Sequence, residues 1–265
     1  MSLIKKRITI LCLSITGVLC AQEQDKIDEG TLVTDRPDQT ESPTLVPKGY
    51  LQVETGAFYE DNGDGVFKEK TMTYNTTLFR YGLLDNLELR LGADFARVTT
   101  EINGIKLSDV ANGLSPLLLG LKIGITEEKG TLPEIGLLGA LFLPFSAGDD
   151  FRPATTGADI RLAFAHTLSE KSSLSYNLGA QWGNDSPEVA YIYTLAYGYS
   201  LTDKLGLYAE LYGDFPENGT ANHFWDAGMT YLLSDNIQLD ATIGTGINND
   251  QNILLSAGVS FRIPK

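Results

Sequence analysis

The ionisable residues that share a pattern in this sequence are Glu54, Glu88, Arg90, Asp94, Lys122, Asp159, Arg161, Glu210 and Asp240. Each lies in a short run whose alternate residues are apolar, and each falls on the other, polar side of its run. If one enclosed surface carried them all, acids would outnumber bases, and lining charges tune the selectivity of a pore toward cations. If they paired with one another, they would fill and close the space they face. Both roles stay open at this level. A second polar cluster, Asp35, Arg36, Asp38 and Glu41, lies in Thr34–Pro43 (TDRPDQTESP), a stretch without periodicity. It reads either as a plug folding back into the mouth of a barrel or as a polar linker.

Catalytic readings find little support. A hydrolase or acyltransferase needs a nucleophile with a positioned base. The chain has two histidines, His166 ending a strand and His223 in a loop, and neither has a serine partner visible in the sequence. Two histidines, with both cysteines outside the main body, give no metal signature. The acidic turns Asp61–Asp64 and Gly148–Asp150 lack a full calcium-loop spacing, and Asp, Asn and Gly also dominate ordinary turns. No enzyme and no cofactor are expected.

The elements that must position the charged residues are strands. In Tyr81–Phe95 (YGLLDNLELRLGADF), Leu87, Leu89, Leu91, Ala93 and Phe95 alternate with Glu88, Arg90, Gly92 and Asp94. Strict period-two alternation is a strand signal. The unit of aromatic or His, Leu, short acidic turn and renewed alternation returns at 165–176, 199–208 and 231–240. Such repetition points to up-and-down antiparallel β-structure.

The pattern predicts twelve strands: Tyr50–Glu60, Lys70–Arg80, Leu87–Thr99, Leu117–Ile125, Glu134–Leu143, Gly157–His166, Ser173–Trp182, Val189–Tyr199, Leu205–Asp214, Phe224–Leu232, Ile237–Ile247 and Gln251–Ile263. Each is about as long as a tilted membrane-crossing strand, roughly 9–11 residues. Short turns join even strands to odd ones, while longer loops (Asp61–Glu69, Thr100–Pro116, Pro144–Thr156) join odd to even. Alternately short and long connections are typical of outer-membrane barrels. An apolar face sustained over so many strands would enclose more space than its side chains could fill. The apolar face is therefore expected outside, against lipid, and the small polar face inside. The fold class is all-β: a transmembrane up-and-down antiparallel β-barrel of about 12 strands.

Lys5, Lys6 and Arg7 precede an apolar run and then Cys20-Ala21-Gln22, which has the form of a secretory signal peptide over residues 1–21. A lipidated Cys20 is disfavoured by the bulky Leu19 before it. Residues 22–48 form an extended periplasmic or plug segment, and 49–265 the barrel. The net charge of −14 argues against nucleic acid as a partner. The partners expected are outer-membrane lipid, a small solute and, during biogenesis, the barrel-assembly machinery.

Several stretches carry a family likeness. Leu32-Val33-Thr34-Asp35-Arg36-Pro37-Asp38, followed by 46–54 (VPKGYLQVE), resembles the opening of the outer-membrane transporter family named for the meta-pathway of phenol degradation. Tyr81-Gly82-Leu83 with Leu87-Glu88-Leu89-Arg90, the stretch LFLPFSAG at Leu141–Gly148, and Leu239-Asp240 with Gly244 are similar to further stations of that family. At Leu114-Ser115-Pro116 the sequence departs from the Gly-Asp pair expected there. The resemblance implies location in the cell outer membrane and passive or facilitated passage of small, hydrophobic or aromatic solutes. The alternative is a non-conducting barrel that binds or anchors a partner through its loops.

Overall fold

The computed structural model describes residues 30–263; the expected signal peptide lies outside them. Thirteen β-segments follow one another: β1 Leu51–Gly63, β2 Phe67–Leu84, β3 Leu87–Ile102, β4 Ile105–Leu114, β5 Leu117–Thr126, β6 Glu134–Leu143, β7 Gly157–Ser169, β8 Ser172–Trp182, β9 Val189–Ser200, β10 Leu205–Pro216, β11 Asn222–Ser234, β12 Ile237–Gly246 and β13 Gln251–Ile263. All pairings between them are antiparallel neighbours in sequence, except that β1 also pairs with β13 and β3 pairs with both β4 and β5. The β1–β13 pairing closes the sheet.

Both β4 and β5 run antiparallel to β3, β4 beside its distal half and β5 beside its first six residues. They are one strand position interrupted at Ser115-Pro116, so the barrel has twelve strands around its wall. Pro116 has no N–H for the ladder and enforces the break, while Ser115 N still donates to Asp94 O at 2.9 Å. The inner edge left open at the break is covered by the 144–156 connection. Gly148 N donates to Leu114 O, Leu117 N donates to Ser146 Oγ, and Asn112 N donates to the Asp150 carboxylate.

This corrects the expectation of a long loop over Thr100–Pro116. Asn103 and Gly104, with φ of 52° and 78°, form a two-residue hairpin turn. Such turns favour Asn-Gly because both central residues need positive φ. His223 likewise belongs to β11 rather than to a loop.

The faces sort as the alternation requires. Leu91, Leu119, Leu121, Leu141, Ile160, Leu195, Leu211, Met229, Ile243 and Leu255 stand exposed on the outside. The largest fully buried side chains, Pro43 apart, are polar: Gln52, Glu54, Arg80, Glu88, Lys122, Asn177, Asp226 and Ser260. A protein with charges inside and leucines outside is inverted relative to a water-soluble one. It is at home only where the surroundings are hydrocarbon.

One strand breaks the simple count. β2 carries a bulge between Thr73 and Asn75. A bulge shifts side-chain parity by one. Met72 and Tyr74 therefore face outward, but Leu78 and Arg80 face inward, not on one common face as uninterrupted alternation would have them.

Candidate functional site: the lumen and its inner segment

Residues 31–50 lie within the barrel and make a circuit of its wall in the half nearer the short turns. The segment starts at the β11–β12 turn, where Leu32 N donates to Asp235 O, and ends where Gly49 N donates to Gly82 O. Between these points it meets β12 and β13 through Arg36, then β10 and β9 through Gln39 and Thr40, then β8 through Glu41. It returns past β5 and β6 to β3, where Val46 N donates to Glu88.

Asp35 is the hub. Its carboxylate accepts from Lys122 Nζ at 2.9 Å on both oxygens and from Arg90 Nη1 at 2.6 Å, with Arg80 Nη1 3.2 Å away. The two arginines are shared with further acids. Arg80 donates to Glu54 and, through Nε and Nη2, to Glu88. Arg90 also donates to Glu41 at 2.7 Å. Backbone adds to the hold: Asp35 N and Arg36 N donate to Glu54, and Lys122 Nζ reaches Ser42 O at 2.6 Å. Four acids and three bases thus satisfy one another inside the wall. Charges taken out of water are tolerated only with this degree of pairing.

A second anchor lies beside the first. Arg36 makes a fork onto Asp240, Nη2 to Oδ1 at 2.8 Å and Nε to Oδ2 at 3.2 Å, and Nη2 also donates to Ser256. Its guanidinium stacks over Phe58 with 5.1 Å to the ring centroid. Space for it exists because Gly56 and Gly258 face it; a Cβ on Gly258 would come within 2.4 Å of Nη2. Further round the wall, Glu210 accepts from Gln39 N and from the Thr40 hydroxyl, and Asn177 accepts from Glu41 N while donating to Glu41 O.

The structure brings Glu54, Glu88, Arg90, Lys122 and Asp240 together around Asp35 and Arg36, and Glu210 onto Gln39 and Thr40 of the same segment, which also carries Asp38. Asp159 and Arg161 pair with each other at 2.9 Å on the β7 wall. Asp94 lies further along β3 on the face of Glu88 and Arg90, beyond their contacts with the segment, and is exposed. Participants that the sequence did not single out include Arg80, hidden by the β2 bulge, and Gln52, Asn177 and Ser256, whose partners Val33, Glu41 and Arg36 are distant in the chain. Aromatic rings also face the lumen: Phe58, Tyr208, and Tyr212 stacked on Phe224 with centroids 5.0 Å apart.

Among the described residues, neither histidine is hydrogen-bonded to a serine. His166 lies 3.4 Å from the Tyr176 hydroxyl, and His223 2.9 Å from the Tyr193 hydroxyl. In the loop after β1, Asp64 accepts from Val66 N and Phe67 N, which holds its carboxyl below the usual range and makes it a turn former. Among the described residues, no group of three or more His, Cys, Asp or Glu side chains is placed to hold a metal ion.

The family described as "Putative MetA-pathway of phenol degradation" matches residues 34–263. The chain belongs to this family. Among solved structures it is similar to the COG4313 outer membrane channel from Pseudomonas putida F1, at 17% identity and a TM-score of 0.68, covering 83% of this chain and 97% of that one. The translocator domain of the autotransporter NalP from Neisseria meningitidis is also similar, at 13% identity and a TM-score of 0.50, covering 83% of this chain and 90% of that one. At such identities the likeness is one of fold: a bacterial outer-membrane β-barrel. No curated protein matches the sequence significantly.

Proposed function

We propose that the chain is an outer-membrane channel for small solutes, hydrophobic or aromatic in character, whose N-terminal segment closes the lumen on the periplasmic side. The observation that carries this reading is the circuit of residues 31–50 inside the wall. It is held by ion pairs and hydrogen bonds, which can exchange for water, and its end is tied to β2 by the Lys48–Gly82 bridge. Removing it would leave a wall lined by charged groups and by Phe58, Tyr208, Tyr212 and Phe224. Rings on the lumen wall suit aromatic solutes because offset and edge-on ring contacts add to apolar burial. Membership of a family named for phenol degradation and the likeness to an outer membrane channel are consistent with this role. The same network supports the alternative of a non-conducting barrel, since a fully paired interior is also a stable filling.

Conductance across a planar bilayer separates the two. The refolded chain from residue 22 should give small or intermittent currents, and a version beginning at residue 49 should give larger, steady ones. Silence from both, with heat-modifiable gel migration showing that both barrels folded, would overturn the channel and leave the anchoring barrel.

A further inference from the structure

The outward faces of β1, β2 and β3 are uncharged from the short-turn end up to Tyr59, Tyr74 and Phe95. The first ionisable side chains beyond them are Asp61, Lys70 and Arg97. The register shows that they share one level, since Met72 is opposite both Tyr59 and Arg97, and Lys70 is opposite both Asp61 and Thr99. The level is some ten residues along each strand. At roughly 3.3 Å per residue and the tilt of a barrel strand, it sits at the far edge of an apolar band about 25 Å tall.

At this edge, beside the β3–β4 hairpin, lies a concavity of about 430 Å³, lined by Lys70, Arg97 and Lys106 with Met72, Tyr74 and Val110. Lys70 and Lys106 share a single carboxylate, Glu101, at 3.1 and 3.8 Å. Asp61 is hydrogen-bonded by Asn252 Nδ2 at 3.0 Å. Arg97 has no hydrogen bond or ion pair among the described residues and is exposed. Three cations around one hollow stand out in a chain of net charge −14.

We propose that this concavity binds the phosphorylated headgroup of an outer-leaflet glycolipid. This rests on reading the chain as an outer-membrane barrel with its short turns in the periplasm. Arg97 offers a planar fork that matches two phosphate oxygens, and Lys106 adds a mobile point charge. The acyl chains lie below, against Met72, Tyr74 and Phe95; Tyr74 and Phe95 pack together with ring centroids 6.1 Å apart. A lipid is favoured over free phosphate because the cations sit directly above apolar side chains that only a molecule with a hydrocarbon tail would cover.

The test uses the refolded chain from residue 22 in detergent micelles, with binding followed by native mass spectrometry. The probes are diphosphoryl lipid A, lipid A stripped of phosphate, and inorganic pyrophosphate. Diphosphoryl lipid A should bind at least about 10-fold more weakly to Arg97→Gln/Lys106→Gln than to the unmodified chain. Lys171→Gln, at an exposed base in a short turn, should change nothing. Arg97→Gln alone serves if the double variant loses heat-modifiable migration, and it should show the same direction of change. Equal binding by the variants, equal binding of phosphate-free lipid A, or full competition by pyrophosphate would each overturn the proposal. Heat-modifiable migration and liposome insertion of the unmodified chain test the barrel reading separately.

Discussion

Lys122 and Asp35 are 87 residues apart in sequence, and Lys122 Nζ donates to both Asp35 oxygens at 2.9 Å. Lys122 belongs to the wall and Asp35 to the segment inside it, and both side chains are buried. The pair therefore joins two parts of the fold that the backbone ladder does not.

Replacing Asp35 by Asn should free the segment without unfolding the wall. Arg80, Arg90 and Lys122 would lose their common acid, and breaking a buried pair on one side costs about 3–5 kcal/mol. The ladder from β1 to β13 does not pass through Asp35, so the barrel should keep its heat-modifiable migration. The measurement is single-channel conductance. Asp35→Asn should shift currents toward those of the chain truncated at residue 49; unchanged small currents would show that the segment is held without the hub.

Gly258→Ala should act through Arg36. The three atoms nearest its new Cβ, within 2.4 to 2.7 Å, all belong to the Arg36 guanidinium. The end of a flexible side chain can move aside, so the barrel should fold but lose the fork onto Asp240. A double-mutant cycle checks this: Gly258→Ala and Arg36→Ala should each raise conductance, and together no more than either alone. Additive effects would place the action of Gly258 elsewhere.

The wall was legible in the sequence because a strand's two faces are written at every second residue, and lipid on one side and water or polar partners on the other keep the alternation strict. What was not legible has specific causes. One extra residue at Thr73–Asn75 reverses the parity of β2, so Arg80 is carried to the inside by an event that the alternation beyond it does not announce. The Asn103-Gly104 turn was present as a dipeptide, but the break at Ser115-Pro116 made the whole stretch look like a loop. The placement of residues 31–50 rests on partners separated by 18 to 220 residues. Contacts of that kind leave no period to read, and a segment without periodicity looks alike in a lumen and in solution.

Leu91→Arg should test which face meets lipid. Leu91 is 42% exposed on the outside of β3, and its neighbour across the β5 pairing is Leu119, also exposed. An arginine there should lower the folding free energy in liposomes by about 2–4 kcal/mol if it lies near the midplane, and less nearer an interface. Asp94→Asn, three residues on and on the opposite face of β3, should be nearly neutral. Equal urea midpoints for the two variants would reverse the inside–outside assignment.

Asp226 should be a site where removing a charge stabilises the fold. It stands opposite Glu210 in the β10–β11 register, fully buried, and neither of its carboxylate oxygens has a hydrogen-bond donor among the described residues. Glu210, by contrast, is satisfied by Gln39 N and the Thr40 hydroxyl. An asparagine keeps the shape of the side chain and turns one oxygen into a donor that can face Glu210. Leaving a buried polar group unpaired costs about 1–3 kcal/mol, so Asp226→Asn should raise the urea midpoint by a comparable amount. It should also tighten the segment, because Glu210 would hold Gln39 and Thr40 without a second acid beside it, and conductance should fall. A lower midpoint would mean that the unpartnered carboxylate is itself stabilising, and would make Glu210 and Asp226 a pair to be studied together.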